Sequence, residues 1–393
     1  MEKLIENSLL KLTLFCENEQ FKGYDPYDTL NSPFPFLFFG QWPAVIATQL
    51  QKRNPINIRP LLGIKKEHST YGMGLLLKAY VKLYKQTGNK EFIQAISYIK
   101  DWLLTNRTSY EKELVWGYDY PYATPNFINE RNYPTVIHHS FIIDALFEYY
   151  QIFNDPQIKD IIVRSEDFII KHIPVIKNED GICLGYNPHS KDCTYNASMH
   201  AARILAITQN LTGSQRNFDL IRNVVDSVIN KQKQNGVWYY SMNAENGKER
   251  MQIDFHQGFI LECLFDVKVL TGYSNERWEH SITKGLEFYK NEQFFLNGKS
   301  KWRLPKTYPI DIHNQGQGII TFSKLKQYQA DSLIFSKKIL LWTIENMQSK
   351  KGYFYYRNYK NYKIKIPYMR WGQAIMLLAF SEYLENSKGI SYK

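Results

Sequence analysis

A five-fold internal repeat constrains this chain more than any single motif does. Five segments place a short turn between two apolar helical patterns: YKQTGNKEF, YQIFNDPQI, TQNLTGSQRNF, VLTGYSNERW and LKQYQADSLIF. With Thr87, Asn154, Thr212, Thr271 and Gln329 as markers, the turns recur every 58 to 67 residues. Between them falls a second signal, a glycine followed by aromatics, as in LVWGYDYP, EDGICLGYNP, QNGVWYYS, LNGKSKWRL and KKGYFYYR. Each unit therefore reads as a helix, a tight turn, a second helix and a longer aromatic loop.

The helical reading rests on spacing. Ala201, Ile204, Leu205, Thr208 and Leu211 fall three and four residues apart, as do Val224, Val225, Val228 and Ile229 in the partner segment. First helices such as FIIDALFEYYQIF and QGFILECLFDVKVL are apolar nearly all round, which suits an inner ring buried on most sides. They are predicted to begin near Pro35, Thr70, Thr135, Ala197, Phe255, Ile312 and Tyr368. Hairpins that cannot bury their inner faces alone gain by closing into a ring. The predicted fold is all-α, an (α/α)6-type toroid in a single domain over residues 1–393. Residues 1–33 supply a helix and loop that close the ring. An open solenoid would need short terminal caps and a basic concave face, and neither is visible.

The overall composition narrows the functional classes. Lys and Arg number 49 against 38 Asp and Glu, a formal charge of +11, yet the cations are scattered along helical faces. Nucleic-acid binding needs clustering, so none is expected. No run reaches the roughly 18 apolar residues of a membrane span, and the amphipathic N-terminus lacks a signal-peptide cleavage pattern. A cytoplasmic location is the expectation. Cys16, Cys183, Cys193 and Cys263 are too scattered for a disulfide framework or zinc ribbon.

The connectivity also predicts a site. Polar and aromatic residues concentrate in the long loops just before each first helix, for example GIKKEHSTYG, WGYDYPYATPNF, GYNPHSKDCTYNASMH and YPIDIHNQGQGI. In a toroid all those helix starts open on one rim, whereas the short turns line the other. Trp238, Tyr308, Trp371 and their aromatic neighbours are then candidates to stack on sugar rings.

Among candidate catalysts, Asp254-Phe-His256 and Asp311-Ile-His313 occupy equivalent places in successive repeats. Each Asp, like Asn196 before its own helix, could equally be an N-cap. Two Asp-x-His pairs could ligate zinc or manganese, but no third cluster accompanies them, and no metal or cofactor is expected. Asp25, Asp28 and Asp119 are the other rim carboxylates. A glycosidase needs two carboxyl groups about 5 to 9.5 Å apart, which Asp254 and Asp311 could supply. A uronate epimerase or lyase instead needs a base and groups that neutralise a sugar carboxylate. His256, His313, Tyr308, Asn196, Lys65 and Arg370 could fill those roles. His138-His139 and His200 lie at two further helix starts, with His200 balanced between ligand contact and packing. No GxGxxG, P-loop, HExxH or GxSxG motif is present.

Taken in order, GYDPYD, WGYDYPYATPN, YNAS, QNGVWYYS, DFHQGF, YPIDIHNQGQ and YMRWGQA resemble a bacterial family of α/α-toroid proteins from exopolysaccharide and O-antigen biosynthesis clusters. The resemblance spans about Tyr24 to Leu384. Its shared motif residues fall on Asp25, Asp28, Trp116, Asn196, Asp254, His256, Asp311, His313, Arg370 and Trp371. The fold it implies is similar to that of six-hairpin glycosidases, uronyl hydrolases, polysaccharide lyases and epimerases. Two departures stand out. The chain moves from Asp119 directly to Tyr-Pro-Tyr, where relatives carry a longer segment, and His138-His139 replace a smaller polar residue.

The expected function is modification of an anionic surface glycan or its lipid-linked precursor. Hydrolysis by Asp254 and Asp311 leads, with C5-epimerisation or elimination as alternatives. A non-catalytic glycan-binding toroid among polysaccharide-assembly proteins is the other class. Terpenoid cyclisation lacks its acidic motifs.

Overall fold

In the computed structural model, which describes residues 2–124, 128–178 and 181–387, the repeats become helical hairpins. Helices α1 (Glu2–Asn18) and α2 (Gln41–Arg53) come first. They are followed by α3 (Thr70–Thr87) with α4 (Glu91–Thr105), then α5 (Val136–Phe153) with α6 (Pro156–His172). Next are α7 (Tyr195–Thr212) with α8 (Phe218–Asn230), and α9 (His256–Thr271) with α10 (Glu276–Gln293). Last come α11 (Ile312–Lys324) with α12 (Ser332–Met347), and α13 (Ile375–Ser387). Local chemistry sets these limits. Ser69 and Thr135 cap the starts of α3 and α5 by accepting from Gly72 and His138 backbone N–H groups. Gly88 and Asn154 end the same helices in the left-handed conformation, at φ 67° and 50°.

Helices α3, α5, α7, α9, α11 and α13 contact one another in that order, and α13 returns to α3, so the inner ring is closed. Their partners α4, α6, α8, α10 and α12 lie outside, and α1 packs on α13 and α12 as the sixth outer helix. One continuous buried cluster runs through all of them, from Ile5 to Tyr383. Leu76, Ile142 and Leu205 are wholly buried within it. Truncating any of these to alanine should cost about 2 to 5 kcal/mol.

One expected helix is misplaced by the sequence reading. The segment near Pro35 forms a 3-10 turn at Phe36–Phe39 and then α2, which is no part of the inner ring. Ala44 and Val45 of α2 pack on Ala123 and Leu30 instead, in a small cluster separate from the main core. Prolines at 33 and 35 and a Gly40 at φ 98° keep this apolar run from forming one long helix.

The aromatic loops are stiffened by short antiparallel pairings that the helical periodicity does not predict. One three-stranded ladder joins Asp192–Thr194, Ser241–Asn243 and Glu249–Arg250. Another joins Ile310–Asp311, Arg357–Asn358 and Lys363–Ile364. Before α13 the chain makes a π-helical turn, Met369–Ala374, an irregularity often found at functional sites. No helix among the described residues is long and apolar enough to cross a membrane.

Candidate active site

All six inner helices deliver residues from their N-terminal ends to one cavity of about 1290 Å³. Its wall includes Tyr71 from α3, His138 from α5, Asn196 from α7, His256 from α9, His313 from α11 and Trp371 from the π-helical turn. Eight Lys and Arg side chains line it against three Asp, namely Asp192, Asp254 and Asp311. Tyrosines from five loops complete the wall, Tyr27, Tyr118, Tyr186, Tyr240 and Tyr308 among them.

Asp254 and His256 form a contact dyad: the carboxylate Oδ1 meets the imidazole Nδ1 in a short hydrogen bond. The same oxygen accepts from the His256 backbone N–H, while Oδ2 accepts from Gln252 Nε2 at 2.8 Å and lies 3.3 Å from Arg303 Nε. Burial alone would raise the Asp254 carboxyl, but the neighbouring His256 and Arg303 hold it down at about 2. With Nδ1 held, the other imidazole nitrogen, Nε2, is the one left for the cavity, and no described residue hydrogen-bonds it.

Asp311 is more fully engaged. Oδ1 accepts from the His313 backbone N–H at 3.0 Å, capping α11, and from Trp371 Nε1 at 2.8 Å. Oδ2 accepts from Arg357 Nε at 2.7 Å. The last contact follows from strand register, since Asp311 and Arg357 are direct cross-strand partners. His313 stacks on Trp371 with ring centroids 4.5 Å apart. Burial pushes its imidazole down to about 4, so it is neutral at pH 7.

Three buried polar atoms in the cavity wall have no protein partner: His138 Nε2, Asn196 Oδ1 and His313 Nδ1. A buried polar atom without a partner is costly. His138 Nδ1 pairs with Thr135 Oγ1 at 2.8 Å, and burial holds this imidazole at about 3.

Of the fifteen residues singled out from sequence, eight line this cavity: Asp254, His256, Asp311, His313, Asn196, Tyr308, Arg370 and Trp371. Asn196 is not the cap of its helix, because Thr194 holds that position. The other seven have different places. Asp25 binds Arg370 through both oxygens, at 2.6 and 2.8 Å, and accepts from Tyr120. Asp28 pairs with Arg59 at 2.7 Å, and Asp119 accepts from Ser69 Oγ and Thr70 N–H. These three carboxylates are buried and tie rim segments to one another. Trp116 and Trp238 are wholly buried, their indole N–H groups donating to the carbonyls of Leu103 and Val228. They are core residues rather than sugar platforms. His200 is buried below the wall, against Phe141 and Phe259. Lys65 is exposed on the surface and is no part of the cavity wall. Pro125 to Phe127, the end of the WGYDYPYATPNF loop, lie outside the described residues.

The structure adds functional candidates that periodicity could not reveal. Lys52, from the unexpected helix α2, reaches the cavity with Nζ hydrogen-bonded to Tyr27 and 3.8 Å from that ring's centre. Burial and the nearby Arg357 lower its ammonium well below the usual lysine range. Arg250 and Arg303 line the same wall. Among the described residues, no group of three or more His, Cys, Asp or Glu is arranged to hold a metal ion.

No protein-family model and no curated protein matches the chain. Solved structures do. A sugar epimerase from a ruminal bacterium superposes with a TM-score of 0.64 at 12% identity, covering 84% of this chain and 91% of that one. Cellobiose 2-epimerase from Bacillus thermoamylovorans gives 0.62 at 15% identity, over 80% of this chain and 88% of the other. The GH76A α-1,6-mannanase from Salegentibacter gives 0.57 at 10% identity, over 82% and 90%. At these identities the likeness is one of fold, and the fold shared with these sugar epimerases and glycoside hydrolases is the α/α toroid.

Proposed function

We propose that this protein is a carbohydrate-active enzyme that removes a proton from carbon in an anionic sugar, with His256 as the base. The observation that carries this reading is the Asp254–His256 dyad, which leaves Nε2 as the free ring nitrogen at the cavity wall. A carboxylate on Nδ1 fixes the tautomer and stabilises the imidazolium that forms when Nε2 takes a proton. Hydrolysis by Asp254 and Asp311 is less well supported. A general acid must carry a proton near neutral pH, whereas Asp254 sits at about 2 and every Asp311 oxygen is already engaged.

The substrate class follows from charge. Arg357, Arg303 and Arg370 are paired with Asp311, Asp254 and Asp25, and the further basic side chains of the wall, Arg250, Lys191 and Lys306, suit a uronate or another acidic sugar. A sugar carboxylate held by cations such as Arg303 would stabilise the negative charge that develops when the adjacent C–H bond breaks. Return of a proton to the opposite face gives the epimer; loss of the β-substituent gives an unsaturated product. The resemblance of the sequence motifs to surface-polysaccharide proteins supports a bacterial exopolysaccharide or O-antigen unit as the substrate, and assembly proteins as partners.

Incubation with uronate-bearing oligosaccharides in deuterated water tests this reading. Wild-type protein should introduce carbon-bound deuterium or an unsaturated sugar, and His256→Asn should do neither while keeping its fold.

A further inference from the structure

One face of α2 has an unusual composition. Phe38, Phe39, Trp42, Ile46, Leu50 and Leu61 are each more than half exposed, with Phe38 at 84% and Leu61 at 88%. Trp42, Ile46 and Leu50 recur every four residues, so they share one face of the helix. The opposite face is the one that packs on the protein, through Ala44, Val45 and Thr48. A dense apolar patch of this kind is rare on a soluble monomer's surface and marks an interaction site.

Charge indicates what covers it. No Asp or Glu occurs between Asp28 and Glu67, while Lys52, Arg53, Arg59, Lys65 and Lys66 all fall in that interval. Arg59 is taken by buried Asp28, Lys66 pairs with Glu19, and Lys52 turns into the cavity. Arg53, exposed although it also borders the cavity, and Lys65 remain at the edges of the segment. We infer that this face, from Phe38 through Leu61, seats on an anionic lipid bilayer. Aromatic and aliphatic side chains on one face of a short helix, with cations beside them and no acids, are the composition that lies in a membrane interface. A second copy of the chain fits less well. A two-fold contact would press the patch onto itself and gather Arg53 and Lys65 of both copies at one interface with no acid of the segment to balance them.

The same helix borders the cavity through Gln49, Lys52 and Arg53. A bilayer on its outer face would therefore lie beside the cavity mouth, where an oligosaccharide carried on a lipid could enter. That consequence rests on the glycan reading; the binding itself does not.

The test is co-sedimentation of the full-length protein with vesicles of phosphatidylcholine alone or mixed with phosphatidylglycerol, at low and high salt, with no sugar present. Wild type should sediment with the phosphatidylglycerol vesicles and be partly released by salt. The triple variant Phe38→Ser, Trp42→Ser, Leu50→Ser should bind at least about tenfold more weakly with an unchanged circular dichroism spectrum, since all three side chains are exposed. Failure of wild type to sediment, or equal sedimentation of the triple variant, would overturn the inference. So would a wild-type dimer in light scattering that the triple variant converts to monomer, because the face would then be a contact between copies. Absence of any sugar turnover would leave the vesicle result standing.

Discussion

Two polar regions lie along the axis of this toroid, one at the mouth and one deeper, from the middle of the inner helices towards their C-terminal ends. In the deeper layer Lys78 pairs with Asp144 at 2.7 Å, and Arg203 lies 3.3 and 3.4 Å from Asp144 and Asp266. Lys324 closes the chain of charges on Asp266 at 2.6 Å. Charge there meets charge, and the residues tie α3, α5, α7, α9 and α11 together. At the mouth, His138, Asn196 and His313 each keep a buried polar atom with no protein partner, and His256 offers Nε2. Both regions are rich in ionisable residues. Each region keeps an unpaired buried polar atom, Arg203 Nε in the deeper one, and what separates them is that every charge of the deeper layer meets an opposite charge within the protein.

Substitution in the deeper layer should act on stability. Asp144→Asn would leave Arg203 and Lys78 short of a buried counter-charge and should cost about 3 to 5 kcal/mol in urea unfolding. Substitution at the mouth should act on turnover. His256→Asn should lower kcat about 10³-fold with little change in the unfolding midpoint, measured on a substrate that wild type converts. If the two variants exchanged phenotypes, the division between the regions would fail.

A pH experiment sharpens the contrast with a histidine that lies outside the cavity wall. His139 is buried, bonds the Ser165 carbonyl at 3.1 Å and stacks on Trp116. Burial depresses its folded-state pKa to about 4, below the unfolded value of about 6.5. Its contribution is thus present above pH 6.5 and is lost as the pH falls towards 4, because the unfolded chain takes up the proton first. His139→Gln removes this linkage, so the variant's stability deficit at pH 7 should shrink by up to about 3 kcal/mol by pH 4. A constant deficit across paired urea titrations would contradict it.

Smaller effects separate the tryptophans. Trp238→Phe should cost about 1 to 2 kcal/mol through its lost indole hydrogen bond and leave KM unchanged. Trp371→Phe should raise KM or lower kcat, because Trp371 orients Asp311 and backs His313. Lys65→Ala should change stability by less than about 0.5 kcal/mol and leave substrate affinity unchanged.

Much of the architecture was legible in the sequence because punctuation and periodicity are local. The turns at Gly88, Asn154, Gly213 and Gly272 end four inner helices in the left-handed conformation, and the apolar spacing between them leaves little choice. The run after Pro35 misled because apolar content alone does not distinguish an inner helix from an exposed one. At the rim, Asp254, His256, Asp311 and His313 were found because they repeat. Asp25, Asp28 and Asp119 looked equally available, and their partners explain why they are not. Arg370 lies 345 residues from Asp25, and Asp119 is held by a loop 49 residues away. No spacing rule reveals such pairs. Trp238 and Trp371 show the same limit: an aromatic in a loop can face either way, and only packing decides. Lys52 had no sequence signal at all, since its role depends on where α2 lies.

The measurement that bears most directly on the central claim is mass spectrometry of uronate-bearing oligosaccharides after incubation with wild type and His256→Asn in deuterated water. Neutral cello- and manno-oligosaccharides serve as the comparison set. Proton abstraction by His256 predicts carbon-bound deuterium at constant chain length, or an unsaturated fragment, on the acidic substrates with wild type only. Cleavage with simple gain of water, undiminished in His256→Asn, would contradict it.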